Sequence, residues 1–311
     1  MDRYAQAYQR LTGPVVPVNL CFTESGEVHF DAVNKYVDWL AALDDPPIIM
    51  LTYGSSEFAW VDEKSLYRLT AEIAQTIAGR AFFITSTLYW NLADVCRFLK
   101  HADQSGADAV KVQMNPWSGQ SDAKLLIGYH DRLMDAADVP MLLWCNSGGQ
   151  GAAPVSAVAE LAVRPKFIGL KNDEDPFYYY YDLIRATRDC NFAVISGGQM
   201  RNIVYGHQLG SPAYLCPVAP FLPDNARCFF NLLVDHKYEQ AWQHVYKYEE
   251  PWLQFAISTD WLLCIKSALY LYGLYPNNLP YPIRPGHDGE DLEKIRACLE
   301  DVFGKIQPVN L

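Results

Sequence analysis

The sequence lacks a basic excess, a long apolar run and an apolar leader, and each absence argues against a class of protein. Its 25 Lys and Arg residues are outnumbered by 36 Asp and Glu residues, so no basic surface is predicted to neutralise nucleic-acid phosphates or anionic lipids. No apolar run approaches the length that crosses a bilayer. The first six residues contain no apolar segment typical of a secretory signal. We therefore expect a soluble, cytoplasmic protein with a small-molecule partner and with no nucleic-acid or membrane partner.

Signatures of disulfide, metal and nucleotide chemistry are also missing. The eight cysteines are scattered without a C-x-x-C pair, which favours reduced thiols. Neither H-x-H nor H-E-x-x-H occurs, so no metal site is predicted. No Gly-x-Gly-x-x-Gly follows the first predicted strand, and the glycines at 148, 149 and 151 lack the Lys-Ser/Thr ending of a P-loop. We predict no metal ion and no cofactor.

Short apolar runs that alternate with longer amphipathic segments are what the chain does contain. The runs that read as strands begin at Pro14, Pro47, Ala81, Asp108, Pro140, Phe167, Phe192 and Pro212. From residue 224 onward only helices are predicted, over residues 225–234, 238–256, 260–272 and 288–303. This order predicts an α/β fold, namely a (β/α)8 TIM barrel over residues 1–223 with a C-terminal helical segment over residues 224–311.

The stretch from Phe167 to Asp173 carries the strongest chemical signal. Apolar and small residues run into Lys171, and polar residues follow at once, which places this lysine at the carboxyl end of a buried strand. Burial lowers the pKa of a lysine and so favours a neutral amine that can attack a carbonyl. The alternative is a lysine that has already left the strand for solvent. A second strand lysine, Lys111, is a rival amine, although it lies in the middle of its strand.

Other candidate residues follow from the ends of the predicted strands, because barrel enzymes build their sites there. Gly54, Ser55 and Ser56 combine hydroxyls with backbone N–H groups and could bind a carboxylate or phosphate, or could cap the next helix. The remaining strand-end residues in the predicted site are Tyr53, Trp117, Trp144, Cys145, Asn146 and Gly197.

Taken together, these motifs resemble the dihydrodipicolinate synthase / N-acetylneuraminate lyase family. The segment 53–58 (Tyr-Gly-Ser-Ser-Glu-Phe) resembles its Gly-Thr-Thr-Gly-Glu loop, and residues 168–171 (Ile-Gly-Leu-Lys) are similar to its Ile-Gly-x-Lys. Gly106–Val110 followed by Pro116 resembles its fourth strand. The resemblance implies a TIM barrel, a Schiff base between Lys171 and pyruvate, a carboxylate held by Ser55 and Ser56 with Gly197 near the bound acid, and a homotetramer or homodimer.

The sequence departs from this family where the family carries proton-relay tyrosines. Trp144 or Cys145 stands at the position of one tyrosine, depending on how the segment is counted, and Trp117 at that of the other. Tryptophan cannot shuttle a proton. Loss of a general acid/base group typically lowers the rate about 10²–10⁴-fold. Either Tyr53, Cys145 or a water took over the relay, or the ordinary aldol reaction is gone.

The leading hypothesis is therefore a class I lyase or aldolase, with Lys171 as the attacking amine and with Cys145 and Tyr53 as candidate catalytic groups. It would act on pyruvate or a related 2-keto acid. Trp117 and Trp144 would make the pocket unusually aromatic. The alternatives are a non-catalytic keto-acid-binding or scaffold protein, a dehydratase of hydroxylated sugar acids, and a metal-dependent barrel lyase for which no ligands are found.

Overall fold

A computed structural model describes residues 2–114, 119–145, 152–174, 176–281 and 285–311. The described residues contain eight parallel strands that close into a barrel in sequence order, with each strand paired to the next and the last to the first. The strands are β1 (Gly13–Pro17), β2 (Ile48–Met50), β3 (Phe83–Ser86), β4 (Ala109–Val112), β5 (Met141–Cys145), β6 (Phe167–Asn172), β7 (Ala193–Ser196) and β8 (Ala213–Leu215). Each of the predicted strands is present, so the predicted (β/α)8 TIM barrel is confirmed.

Helices alternate with the strands and then continue without them. They are α1 (Arg3–Arg10), α2 (Phe30–Ala41), α3 (Glu63–Ile77), α4 (Leu92–Ser105), α5 (Ala123–Met134), α6 (Val155–Ala162), α7 (Phe177–Thr187), α8 (Met200–Leu209), α9 (Pro223–Val234), α10 (Tyr238–His244), α11 (Glu250–Thr259), α12 (Trp261–Leu271) and α13 (Gly289–Phe303). Helix α1 was not predicted, because its eight residues are mostly polar. The predicted helix 238–256 is interrupted by a π-helical turn at Val245–Glu249.

Side-chain caps fix where several helices begin. The Asp62 carboxylate accepts a hydrogen bond from Ser65 N at the start of α3, and the Asn91 side chain accepts one from Asp94 N at the start of α4. Such caps satisfy N–H groups that the first turn leaves unpaired. Gly106 ends α4 with a φ of 87°, a conformation that a side chain disfavours.

The strands are buried on both faces, which explains their continuous apolar sequences. All residues of β4 and β6 are buried, and these include Lys111 and Lys171. The pairing of β5 with β6 contains a register shift at Met141/Leu142, after which Trp144 lies directly beside Lys171.

By its internal contacts the chain divides into two compact units. The first unit comprises Met1–Val15 and Phe82–Leu215, and it holds β3 to β8. The second unit comprises Val16–Ala81 and Cys216–Leu311, and it holds β2 and the helices α9 to α13. The predicted boundary at residue 223 between the barrel and the C-terminal helices stays a prediction.

Candidate active site

Lys171 is a buried lysine whose ammonium is paired with a carboxylate. Its residue is 4% exposed, at the carboxyl end of β6, so the alternative of a solvent lysine is wrong. Nζ lies 2.6 Å from Asp173 Oδ1 and 2.5 Å from Asp173 Oδ2. Residues i and i+2 of an extended chain project to the same side, which is why Asp173 reaches back to the lysine. A buried ammonium requires such a partner.

Trp144 is the third member of this cluster. Its indole Nε1 donates a hydrogen bond to Asp173 Oδ2, and its ring lies 6.0 Å from Lys171 Nζ. The indole N–H therefore holds a carboxylate oxygen that also pairs with the Lys171 ammonium. In the structure Trp144 thus orients the Asp173 carboxylate, and a contact between Trp144 and a substrate stays a prediction.

Lys111 also lies against the indole ring of Trp144. Its Nζ is 4.1 Å from the centre of the Trp144 ring and donates a 3.1 Å hydrogen bond to Gln113 Oε1. The residue is wholly buried, and burial, reinforced by the charge of Lys171, holds the pKa of the Lys111 amine well below its ordinary value. Lys111 is thus a desolvated amine on which the charges of Lys171 and Asp173 act.

Gly197 makes room for the carboxylate. A Cβ atom built on Gly197 would overlap Asp173 Oδ1 and the carbonyl oxygen of Asn172. The Gly197 N–H donates a 2.7 Å hydrogen bond to that same carbonyl oxygen. The predicted position of Gly197 near the bound acid of a substrate stays a prediction, and in the structure this glycine lies against the side chain of Asp173.

A cavity of about 550 Å³ opens against this cluster in the first unit. Asp173 and Gly197 form part of its wall, and Phe177, Tyr205 and Asn202 line it from α7 and α8. The Asp173 side chain is 18% exposed, so the carboxylate contacts both the buried lysine and accessible space.

Cys145 lies next to Trp144 in sequence but faces another environment. Its thiol accepts a 3.3 Å hydrogen bond from the Tyr179 hydroxyl, which also donates to Ala153 O. Burial raises the pKa of the Cys145 thiol to about 12, which makes it a weak proton donor near neutral pH. The described contacts of Cys145 favour packing, and its catalytic role stays a prediction.

The loop after β2, in the second unit, contains the other candidates. The Ser56 hydroxyl donates a 2.5 Å hydrogen bond to Val18 O and accepts one from Thr52 N. Ser55 is buried, and its carbonyl oxygen accepts a hydrogen bond from Asn19 Nδ2. Asp62 caps α3, so the alternative in which the serines cap that helix is wrong.

Two further candidates of this loop differ in exposure. Gly54 is exposed and Tyr53 is half-buried. The binding roles of Gly54, Ser55 and Ser56 and the catalytic role of Tyr53 stay predictions. Trp117 and Asn146 lie outside the described residues.

The second unit also holds a buried ion pair that was not predicted from the sequence. Lys266 Nζ lies 2.6 Å from Glu57 Oε2 and 2.5 Å from the carbonyl oxygen of Leu20, and Glu57 Oε1 accepts a hydrogen bond from Tyr281 N. Burial lowers the pKa of Lys266, and the Glu57 charge opposes this effect. Glu57 adopts a left-handed φ of 53° at this point.

Metal-binding clusters and membrane-spanning helices are both absent from the described part of the chain. In it, no group of three or more His, Cys, Asp or Glu side chains is arranged to hold a metal ion. None of its helices combines the length and the apolar character that crossing a membrane requires.

Comparisons with known proteins place this geometry in context. The chain is 22% identical over 299 residues to an uncharacterised DapA-like lyase of Thermococcus kodakarensis, covering 94% of this chain and 100% of the relative. It is 24% identical over 295 residues to the 4-hydroxy-tetrahydrodipicolinate synthase of a Synechococcus strain, covering 94% and 92% of the two chains.

Solved structures with the same fold include two enzymes. A dihydrodipicolinate synthase from Oceanobacillus iheyensis has a TM-score of 0.82 at 17% identity, with 96% of this chain and 98% of that one covered. An N-acetylneuraminate lyase from Fusobacterium nucleatum has a TM-score of 0.84 at 14% identity, with 94% and 99% covered. At these identities the likeness shows the fold alone. The model of the dihydrodipicolinate synthetase family matches residues 10–301, nearly the whole chain, and the chain therefore belongs to that family.

Proposed function

We propose that this chain is a lyase that forms a Schiff base between Lys171 and a 2-keto acid such as pyruvate. The single observation that supports the proposal most is the buried Lys171 at the end of β6, held beside a carboxylate that borders a cavity. A lysine in a desolvated setting with an adjacent proton acceptor is the arrangement that covalent amine catalysis needs. The relatives named as synthases and lyases agree with this class of reaction.

The carboxylate beside the buried Lys171 amine would stabilise a positively charged iminium, which can act as an electron sink. After Lys171 attacks the ketone, the iminium withdraws electrons from the adjacent carbon–carbon or carbon–oxygen bond, which allows aldol cleavage, condensation or loss of water. Asp173 lies where it can balance the positive charge of that iminium. The rest of the substrate would extend into the cavity, where Phe177 and Tyr205 offer aromatic surface and Asn202 an amide.

Trapping with pyruvate and sodium borohydride tests the proposal. Intact-protein mass should show one pyruvyl adduct on the wild-type chain, and the adduct should be absent from Lys171→Ala. Lys111→Met is the matched control, since it removes the second buried amine beside Trp144 and should keep the adduct. Peptide mapping that places the adduct on Lys111 would contradict the assignment. If pyruvate gives no adduct, a panel of longer and aromatic 2-keto acids tests whether pyruvate is the wrong substrate.

A non-catalytic keto-acid binder is the second candidate. The observation that favours it is the bidentate Lys171–Asp173 pair, which satisfies the ammonium within the protein. If no 2-keto acid in the panel is trapped while binding is detected by calorimetry, this candidate replaces the first. The predicted cytoplasmic location and homotetramer or homodimer stay predictions.

A further inference from the structure

Formation of a Schiff base requires proton transfers that Lys171 cannot perform alone. The ammonium must lose a proton before it attacks, and the hydroxyl of the resulting carbinolamine must gain one before it leaves as water. Trp144, which lies directly beside Lys171 on β5, has an indole N–H that donates but cannot accept a proton. A different group must therefore serve both steps.

We propose that Asp173 is the catalytic residue that moves these protons. Among the described residues, the Asp173 carboxylate is the titratable group that lies within hydrogen-bonding distance of Lys171 Nζ. Its two oxygens are 2.6 Å (Oδ1) and 2.5 Å (Oδ2) from that nitrogen. Those distances lie in the range that proton transfer by a general acid or base needs. The inference rests on the proposed function, since it assigns a role within the same Schiff-base chemistry.

The proton and electron movements balance around Asp173. The carboxylate accepts one proton from the Lys171 ammonium, and the neutral amine adds its lone pair to the ketone carbon while the C=O electron pair moves to oxygen. A proton then passes from nitrogen to that oxygen, giving the carbinolamine. Asp173 returns its proton to the hydroxyl, the C–O bond breaks, water leaves and the nitrogen lone pair forms the iminium. The carboxylate is regenerated, and its charge balances the iminium.

The structure gives Asp173 the contacts that this role needs. The Trp144 N–H orients one carboxylate oxygen, and the absence of a Cβ on Gly197 leaves space for the other. The carboxylate borders the cavity, so a carbonyl entering from there would meet the acid that is paired with the Lys171 amine.

The alternative donors are less suited to the role. Cys145 faces Tyr179 rather than the lysine, and burial raises the pKa of its thiol to about 12. Burial likewise raises the pKa of the Tyr179 hydroxyl far above its ordinary value. Among the described residues, the charges of Lys171 and Asp173 act on the Lys111 amine of β4, and those of Glu174 and Asp173 act on the Cys145 thiol of β5.

The test is the pH dependence of the trapping rate, with pyruvate and cyanoborohydride, for the wild type, Asp173→Asn and Asp182→Asn. Proton exchange within the Lys171–Asp173 pair leaves total charge unchanged, so the wild-type rate should be flat across neutral pH. Asp173→Asn should trap about 10²–10⁴-fold more slowly, as loss of a general acid/base predicts. Its rate should also rise with pH, because the amine must then lose its proton to solvent. Asp182→Asn, an exposed change on α7, should match the wild type.

Each outcome decides the question. An Asp173→Asn rate and pH profile that match the wild type would overturn the role of Asp173 while leaving Lys171 as the attacking amine. A slower rate with an unchanged profile would also overturn it, because a purely structural role predicts that result. If the wild type itself traps no 2-keto acid, the proposed function and this inference fall together.

A second variant covers the case in which Asp173→Asn does not fold. Trp144→Phe keeps the Lys171–Asp173 pair but removes the N–H that stabilises the charged carboxylate. The pH at which the wild-type rate begins to fall on the acid side should move upward in this variant. An unmoved midpoint would overturn the proposal.

Discussion

The buried ion pair between Glu57 and Lys266 allows a quantitative test of what holds the second unit together. Both side chains are nearly inaccessible, at 3% and 2% exposure, and Nζ and Oε2 are 2.6 Å apart. Lys266→Met leaves the carboxylate buried without its cation and removes the donor to Leu20 O. Breaking one side of a buried pair typically destabilises a protein by about 3–5 kcal/mol. At about 2.1 cal/mol/K per residue for the entropy of unfolding, the melting temperature should fall by about 5–8 °C.

Calorimetry on a matched set of variants measures this effect. Lys64→Met removes the same charge from an exposed position on α3 and should melt within about 1 °C of the wild type, as surface substitutions usually do. The double variant Glu57→Gln/Lys266→Met should lose much less stability than the sum of its two single variants, since no charge is then left unpaired. If Lys266→Met melts like Lys64→Met, or if the two single effects add, the pair does not stabilise this unit.

Other predictions concern the first unit. Gly197→Ala should slow Schiff-base trapping at least about tenfold, because the added methyl group displaces the Asp173 carboxylate. Gly198→Ala is the control, since its Cβ would meet no atom within 4 Å and its trapping rate should match the wild type. Equal trapping rates for the two variants would refute this reasoning. Burial lowers the pKa of the His130 imidazole to about 4. Between about pH 6.5 and pH 4 this histidine therefore binds a proton in the unfolded state but not in the folded state. The free energy of unfolding should fall by up to about 3 kcal/mol as the pH drops through this range. Urea unfolding at several pH values should show this slope in the wild type and a smaller one in His130→Gln. The pKa of Lys111 is lowered in the folded state, whereas in the unfolded chain it has its ordinary value of 10.5. As the pH falls below 10.5, the unfolded state therefore gains a proton first, and the free energy of unfolding decreases. The Lys111→Met variant should therefore become more stable relative to the wild type as the pH is lowered. A difference in the free energy of unfolding by urea that stays constant with pH would contradict this prediction.

The strands and the position of Lys171 could be predicted from the sequence because both depend on local patterns. Strands that are covered on both faces read as apolar runs, and the run of β6 ends at its lysine. The alternation of side chains also carried a signal for Asp173, which lies two residues beyond Lys171 and so on the same side of the chain.

The contacts of Trp144 could not be predicted in the same way. They depend on the register between β5 and β6, which shifts at Met141/Leu142, and no local pattern specifies that shift. The Glu57–Lys266 pair joins residues 209 positions apart, so its existence follows only from the folded chain. The hydroxyl of Ser56 could be identified as a polar group, but only the structure shows that backbone groups already use it.

The close approach at Gly197 has a consequence for how position 197 can vary. A Cβ atom there would overlap the backbone carbonyl oxygen of Asn172 as well as Asp173 Oδ1. A side chain can rotate away from such an overlap, but a carbonyl oxygen cannot move without shifting the end of β6. A smaller residue at position 173 would therefore not by itself make room for a larger one at position 197, because the strand backbone excludes it.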